Sequence, residues 1–540
     1  MKRIGIDVGG TNSDAVLVED ESVVLAVKSP TTQDVMGGVL DSLRKLITQA
    51  GARLQAVDAV MIGTTHFVNA VVQRRDLVRV AAIRIGLPAS ASLPPMVDWP
   101  KDLRDVVDPM IFMVESGHEF DGRPFMPLDE NALREAALRI RDAGIHAIGI
   151  SSIFSPLTAE HELRAQQVVA DICPGVSITL SHRLGRIGLL ERENVTLLNA
   201  CLAELGHHVI GAFREALGAV GIHAPFYLTQ NDGTVMLAEL AARYPVYSFS
   251  SGPTNSMRGA AFLTRLDNAM VVDVGGTTSD IGCLVNGFPR EANNVVDIGG
   301  VRTLFRMPDL LSIGLGGGSM VSHDPLVVGP RSVGFRLPEQ ALVFGGKVLT
   351  LTDIGVAAGL ADIGDKSLVA HLPSALVNAV LQRVREMLEE NLDRMKTQAA
   401  DATLVAVGGG AFLVPEQLAG CERVLRVTHA GVANAVGAAI AQVSGESDQV
   451  FSGLTREQAM EQARELAEQR AVLAGADRAT LKLVDIEDLP IAYLPGNALR
   501  VRARVIGDIA SPVVAAPPSL LPRNLAHHAE PKHPRWPGHE

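Results

Sequence analysis

Rings are scarce in this chain. Phe, Trp and Tyr together supply 4% of its 540 residues, so the core must be filled mainly by Val, Leu, Ile and Ala, a composition that suits buried α/β sheets. Cysteine is scarcer still. Its four residues, Cys173, Cys201, Cys283 and Cys421, lie far apart with no C-x-x-C, which leaves zinc ribbons, iron–sulfur clusters and disulfide scaffolds without support. Cys201 and Cys283 fall in apolar patterns and read as buried thiols. Positive charge is in deficit: 48 Lys and Arg face 60 Asp and Glu, for a net charge of −12. That balance argues against a nucleic-acid partner. No apolar run is long enough for a bilayer, and the amino terminus runs straight into a strand with no signal peptide. The expectation is a cytoplasmic protein with no membrane partner.

What the chain has is bulk. Hydrophobic residues make up 47% and charged residues 20%, a globular balance. The length exceeds what one core holds and implies two large domains plus an appendage.

One stretch occurs twice. Residues 4–18 read I-G-I-D-V-G-G-T-N-S-D-A-V-L-V, and residues 271–285 read V-V-D-V-G-G-T-T-S-D-I-G-C-L-V. The octets Asp7–Asp14 and Asp273–Asp280 agree at seven of eight positions, with Asn12 facing Thr278. Each is an apolar run, an Asp, a Gly-Gly-Thr turn, a second Asp and another apolar run, which is a β-hairpin signature. Glycines there also let backbone N–H groups approach an oxyanion closely. Gly9, Gly10, Thr11, Asn12 and Ser13, with Gly275, Gly276, Thr277 and Thr278, are therefore candidate phosphate contacts, and Ser279 adds another hydroxyl. An Asp beside a phosphate repels it unless a cation intervenes, so Asp7 and Asp273 suggest Mg²⁺. Asp280 joins them as a catalytic candidate, although it and Asp14 can equally serve turn amides. A single copy would be no more than a tight hairpin. Two copies half a chain apart resemble the paired phosphate loops of the actin, sugar kinase and heat-shock ATPase superfamily, whose two lobes close on one nucleotide.

The rest of the chain alternates strands and helices, which predicts parallel or mixed sheets covered by helices. Val23–Lys28 completes a meander, Thr32–Ala50 has a helical stripe, and Ala56–Ile62 and Val78–Ile85 read as strands. A third glycine turn, Gly408-Gly409-Gly410, follows the strand Leu404–Val407 and resembles the superfamily's adenosine loop, where a side chain would collide with the base or ribose. Ala430–Val443 reads as a small-residue helix suited to close packing between lobes. Thr455-Arg456-Glu457-Gln458 is a capping box, and strands follow at Leu481–Ile486 and Leu499–Ile506 around a Pro495-Gly496-Asn497 turn. Arg500, Arg502 and Arg504 share one strand face, either solvated or a docking surface. From Ile509 the tail is rich in Pro and His and is expected to be disordered.

These features, in order, resemble the hydantoinase A and oxoprolinase family of actin-like ATPases, across about residues 3–445. The resemblance rests on both octets, Gly63-Thr64-Thr65 with Asn69-Ala70, and Phe154-Ser155 with His161-Glu162. It continues through Glu191-Arg192 with Thr196 and Asn199, Gln230–Gly233, Ser251-Gly252-Pro253 and Gly314–Ser319. It implies an α/β fold of two actin-like, duplicated ribonuclease H-like lobes with a small C-terminal α+β appendage. The boundaries then fall at 1–180 for the first lobe, 181–268 for a mainly helical interlobe region and 269–445 for the second lobe. An appendage at 446–508 and a tail at 509–540 complete the division. The implied chemistry is hydrolysis of a cyclic amide (a hydantoin, oxoproline or related lactam), with ATP and Mg²⁺, through phosphorylation of the amide oxygen. His66, Glu191 and Arg192 are candidate substrate residues; His66 stands where a small apolar residue is common. No hydrolase-like half of the kind fused in full-length oxoprolinases is visible in this sequence, so the resemblance implies a second, hydrolase-type subunit, hydantoinase B-like or other, and an oligomer. The alternatives are a ketone carboxylase subunit, also ATP-dependent, and a non-enzymatic nucleotide switch.

Overall fold

Each copy of the repeated stretch folds into an antiparallel hairpin that opens a sheet. In the first, β1 (Lys2–Val8) pairs with β2 (Asn12–Glu19), β2 pairs with β3 (Ser22–Pro30), and β4 (Ala59–Thr64) lies parallel to β1. The strand Phe226–Thr229 continues it in parallel beyond β4. In the second, Ala269–Val274 pairs with Ser279–Val285, which pairs with Phe288–Pro289, while Ala402–Val407 and Cys421–Arg426 run parallel on the other side. Both sheets thus share the order third-second-first-fourth-fifth, the ribonuclease H-like arrangement, and the duplication seen in eight residues extends to whole lobes. The computed structural model describes residues 1–9, 12–30, 35–51, 57–120, 122–184, 188–292, 296–305, 307–491 and 498–510. Gly10, Thr11, the start of the helix expected from Thr32, the Pro495–Asn497 turn and the tail beyond Ala510 lie outside them. Among the described residues no helix is long and apolar enough to cross a membrane.

Strand–helix alternation reveals element types but not strand partners. Val80–Leu87, Met110–Glu115, Ala147–Ser152 and Ser177–Leu180 leave the first sheet and build their own four-stranded parallel layer. The buried Arg84–Glu193 ion pair ties that layer to the helix Leu189–Cys201. Beside that layer, His118 and His161, the latter on the helix Glu160–Ile172, stack with ring centroids 4.0 Å apart. His118 is 1% exposed, and neither of its ring nitrogens has a hydrogen-bond partner among the described residues. Burial, then the neighbouring His161, pushes its pKa down to about 4. The unfolded chain therefore takes up the proton first, so His118 favours the folded state at neutral pH and that contribution fades as pH falls from about 6.5 through 4. In thermal melts across this range, His118→Phe should lose less stability on acidification than wild type. Equal slopes would contradict the assignment.

The first sheet is finished by the end of the chain. The strand Gln442–Phe451 lies beside Thr234–Leu237, followed by Leu499–Gly507 and Lys482–Pro490, to give nine strands. The expected helix over 430–443 is shorter, Ala433–Ala439, and the next strand was hidden because Gly445 and Ser447 take its inward positions. Their small size admits the helix Arg456–Leu473, which lays Ala459, Ala463, Ala467 and Ala471 on the sheet. A Cβ on Gly445 would stand 2.1 Å from the Ala467 carbonyl oxygen. The capping box forms: Thr455 accepts from the Gln458 N–H, and Gln458 accepts from the Thr455 N–H. The arginine face is neither solvated nor free to dock. Arg500 forks onto Asp448, Arg502 reaches Glu291 at 2.8 Å, and Arg504, 4% exposed, pairs with Asp232 at 2.8 Å and Glu291 at 3.2 Å. Glu291 belongs to the second lobe, so this face binds the lobes together.

Two helices carry the chain across. The outgoing helix Ser251–Thr264 leads into the second sheet, and the return helix Ala433–Ala439 leads back. They cross at backbone contact, with a Cβ on Gly437 falling 1.8 Å from the Asn255 carbonyl oxygen and one on Gly259 1.9 Å from that of Ala433. A two-stranded arm of the second lobe, Val296–Ile298 and Val301–Thr303, reaches over the first, where Ile298, Val301 and Phe305 join its apolar core.

Candidate functional site

The two hairpins place their acidic residues identically. Asp7 lies opposite Asp14 across β1 and β2, and Asp273 lies opposite Asp280 across the matching pair. Each turn closes the same way, Gly9 N–H donating to Asn12 O at 3.0 Å and Gly275 N–H to Thr278 O at 2.9 Å. The segment Gly314–Ser319 braces the second turn from behind: Gly317 N–H donates to Gly275 O at 3.0 Å and Gly318 N–H to Gly276 O at 2.7 Å. A Cβ on Gly316 would lie 2.6 Å from the Thr277 nitrogen, so only glycine permits this approach. Thr277 and Thr278 are exposed. Ser279 is buried and spends its hydroxyl on Leu315 O at 2.6 Å, so it secures the loop and is not available as a phosphate donor. Ser13 is also buried, but its hydroxyl has no partner among the described residues.

The carboxylates share one electrostatic problem. Burial, then the charges of Asp14 and Asp273, pushes Asp7 up to about 7. Burial likewise raises Asp14 against the pull of Lys28, and raises Asp273 with the Ser256 hydroxyl opposing. Asp280 rises to about 6, burial outweighing a hydrogen bond from Ser312. Lys28 is the cation all three of Asp7, Asp14 and Asp273 sense, and its Nζ stands 2.7 Å from Asp14. Asn434, at the start of the return helix, donates to Asp7 at 2.7 Å. Such a cluster gains from a further cation. Among the described residues no three His, Cys, Asp or Glu side chains are grouped as a metal site, so Asp7 and Asp273 would hold Mg²⁺ only with phosphate oxygens or water completing the shell.

The third glycine turn packs on the second hairpin. Gly410 N–H donates to Val274 O at 2.8 Å, and Gly408, at φ +88°, would put a Cβ 2.2 Å from an Asp273 carboxylate oxygen. A Cβ on Gly409 meets nothing within 4 Å, as a position facing open space should.

His66 begins a helix just after β4, whose Thr64 pairs with Val8 beside the first turn, and its Nδ1 is hydrogen-bonded to the Thr64 hydroxyl. The start of the outgoing helix abuts the same point, Ser251 donating to Thr64 O at 3.4 Å. Glu191 and Arg192 do not pair with each other. Glu191 lies 3.4 Å from Arg302 of the arm, while Arg192 is fully buried and donates to Ser181 Oγ and to the Gly188 and Ser152 carbonyls. Sequence reasoning missed Lys28, Asn255 and Asn434. Asn434 and Asn255, whose side chains hydrogen-bond Asp7, lie far along the chain from it, and Lys28 faces Asp14 across β2 and β3; only the fold brings each to its partner.

The duplicated lobes, crossing helices and paired acidic loops define an actin-like ATPase fold. The chain belongs to the hydantoinase/oxoprolinase family: that family's N-terminal region matches residues 3–173, and its hydantoinase/oxoprolinase region matches residues 192–363. It is 27% identical over 436 residues to the caprolactamase subunit alpha of Pseudomonas jessenii, covering 75% of this chain and 61% of that one. It is 28% identical over 393 residues to the acetophenone carboxylase gamma subunit of Aromatoleum aromaticum, covering 66% and 53%. The crystal structure of the ATP-dependent caprolactamase from Pseudomonas jessenii superposes with a TM-score of 0.75 at 21% identity, over 94% of this chain and 88% of that one. The chain thus spans between about half and three-fifths of the length of these two sequence relatives.

Proposed function

We propose that the chain uses ATP to activate the carbonyl oxygen of a cyclic amide for hydrolysis, as the nucleotide-using subunit of a two-subunit enzyme. The observation that carries this reading is the pair of matched hairpins, with buried carboxylates whose charge a cation would offset. An amide carbonyl resists water because its oxygen and nitrogen share electron density, and phosphorylation of the oxygen removes that resistance. Phosphoryl transfer asks the protein mainly for positioning and charge neutralisation. The backbone N–H groups of both turns, with Thr277 and Thr278, grip phosphate oxygens; Lys28 neutralises developing charge; His66, bonded to Thr64 beside the first turn, is a second-rank candidate for the substrate. Asp7 and Asp273 would hold Mg²⁺ or its waters, and Asp280 would support Asp273. The bound ion would supply charge compensation between phosphate oxygens and carboxylates. A relative named as a caprolactamase subunit supports the amide reading, and one named as a carboxylase subunit keeps a ketone acceptor as the second reading. A cytoplasmic setting goes with the use of ATP.

The test is Mg-ATPase activity of the purified chain, with and without any co-purifying subunit, against lactams and against ketones with bicarbonate. Stimulation by a lactam without bicarbonate supports the proposal, and strict bicarbonate dependence favours the second reading. A turnover that no carbonyl compound alters, with either preparation, would overturn both.

Gly409→Val offers a narrower check on nucleotide placement. The new side chain enters open space, so the variant should fold as wild type while losing at least about ten-fold in ATP affinity by calorimetry, as a bulky group displaces adenosine. Unchanged affinity would move the nucleotide away from this turn.

A further inference from the structure

The turn Gln230–Asp232 opens onto a cavity of about 420 Å³, a volume that suits a small molecule. Four parts of the chain converge on it: Gln230 and Met236 of the first sheet, His182 at the end of the inserted layer, Phe305 at the end of the arm and Glu446 of the C-terminal strands. Gln230 directly follows the strand beside β4, so it stands roughly 10 Å, two strand spacings, from the first hairpin. Val235, Met236, Leu240, Leu304 and Phe305 give the lining its apolar part.

The lining also carries Arg183 and Arg470 against Asp232, Glu446 and Asp448, and its imidazole, His182, forms a dyad with a carboxylate behind it. Glu162 is fully buried and accepts from Ser152 N–H at 3.0 Å, His182 N–H at 3.0 Å and Ser181 Oγ at 2.5 Å, and its Oε2 lies 2.7 Å from His182 Nδ1. Burial pushes its carboxyl up, but the His182 contacts and the Arg192 charge outweigh that and hold it below the usual range. An ionised Glu162 accepts from Nδ1–H and leaves Nε2 as the imidazole's proton acceptor, the geometry by which a carboxylate orients a general base. This also gives Arg192 a role: it helps keep Glu162 charged. Its own nitrogens are bonded inside the lobe.

We propose that this cavity binds a neutral, ring-sized carbonyl compound and that His182 Nε2 accepts the proton on the atom next to its carbonyl. The N–H bond of an amide, or the Cα–H bond of a ketone, breaks toward Nε2. Its electron pair forms C=N or C=C, and the carbonyl π pair moves onto oxygen. The product is an imidate or enolate whose oxygen is the nucleophile that the proposed function phosphorylates, while Glu162 stabilises the imidazolium. The binding claim stands without ATP; the catalytic claim rests on the proposed function.

The experiment measures ε-caprolactam and acetophenone binding to the full chain by calorimetry, alone and with ATP. At least one probe should bind wild type. Leu240→Trp, at a rim position 36% exposed on the helix Ala238–Arg243, should weaken that binding at least ten-fold while ATP affinity is unchanged. His182→Gln should leave probe binding within about three-fold but cut probe-stimulated ATP turnover about a hundred-fold, in the range that general-base catalysis supplies. Failure of both probes to bind, or equal binding by Leu240→Trp, would overturn the cavity assignment even if ATP binds normally. Probe binding without ATP binding would support the cavity and count against the proposed function. Full turnover by His182→Gln would remove the proton role.

Discussion

Asp7→Asn and Asp273→Asn should each lower Mg-ATP turnover by about a hundred-fold or more, the scale on which removing a single transition-state contact acts. Neither should unfold the protein. Asp7 accepts from Asn434 at 2.7 Å, and an Asn amide oxygen can still accept that bond. The charge, by contrast, is a burden to the metal-free fold. The carboxyl is raised from 3.8 to about 7, so the folded state holds its proton longer than the unfolded chain does. Its ionisation therefore erodes stability as pH rises from about 4 through 7. In the presence of a chelator, Asp7→Asn should accordingly melt at or above wild type at pH 8, and at the same temperature near pH 4. A variant that is more stable yet inactive separates lost chemistry from lost structure. Full Mg-ATPase activity in either folded variant would show that its carboxylate takes no part.

Gly437→Leu should cost the fold more than about 3 kcal/mol, beyond the usual range for overpacked cores. The reason is what the new atoms would meet. A Cβ there lies 1.8 Å from the Asn255 carbonyl oxygen and 2.8 Å from the Gly259 nitrogen. Both are backbone atoms of the outgoing helix, with no side chain to swing aside. Separating the helices would also draw Asn434 from Asp7 and Asn255 from Thr229, to which it donates at 3.0 Å. Urea denaturation measures the loss, with Gly431→Ala as the control because nothing stands within 4 Å of a Cβ at that position. A Gly437→Leu variant as stable as the control would mean that the helices do not cross as described.

Local chemistry was legible in the sequence wherever one segment decides its own shape. The Asp-Val-Gly-Gly-Thr hairpins, the Thr455 capping box and the glycine turn after Val407 all formed, because turn and cap geometry depend on a few adjacent residues. Pairing across long separations was not legible. Nothing in Ala59–Thr64 says that its next neighbour is Phe226–Thr229, with a separate four-stranded layer between them in sequence. Arg500, Arg502 and Arg504 read as a solvated or docking face because alternation cannot show that Asp448, Asp232 and Glu291 wait opposite. Gln442–Phe451 escaped for the opposite reason: its inward residues are small, and a strand under an alanine-striped helix has no apolar alternation to read. Within the site, the carboxylates were visible as a repeat. The groups that tune them, Lys28 and Asn434, occur once each and carry no local signature.

The position of Gln442–Phe451 also orders events during synthesis. Its neighbour Thr234–Leu237 emerges from the ribosome some two hundred residues earlier, followed by the entire second lobe, which can close its own sheet in the meantime. Until residue 507 has been made, Thr234–Leu237 or Gln442–Phe451, both interior strands of the finished sheet, stands at its edge with open ladder groups that can recruit foreign strands. The nascent chain thus passes through a stage in which one lobe is complete and the other still adhesive. Factors that shield unfinished sheets should matter more to the yield of this protein than to its stability once made.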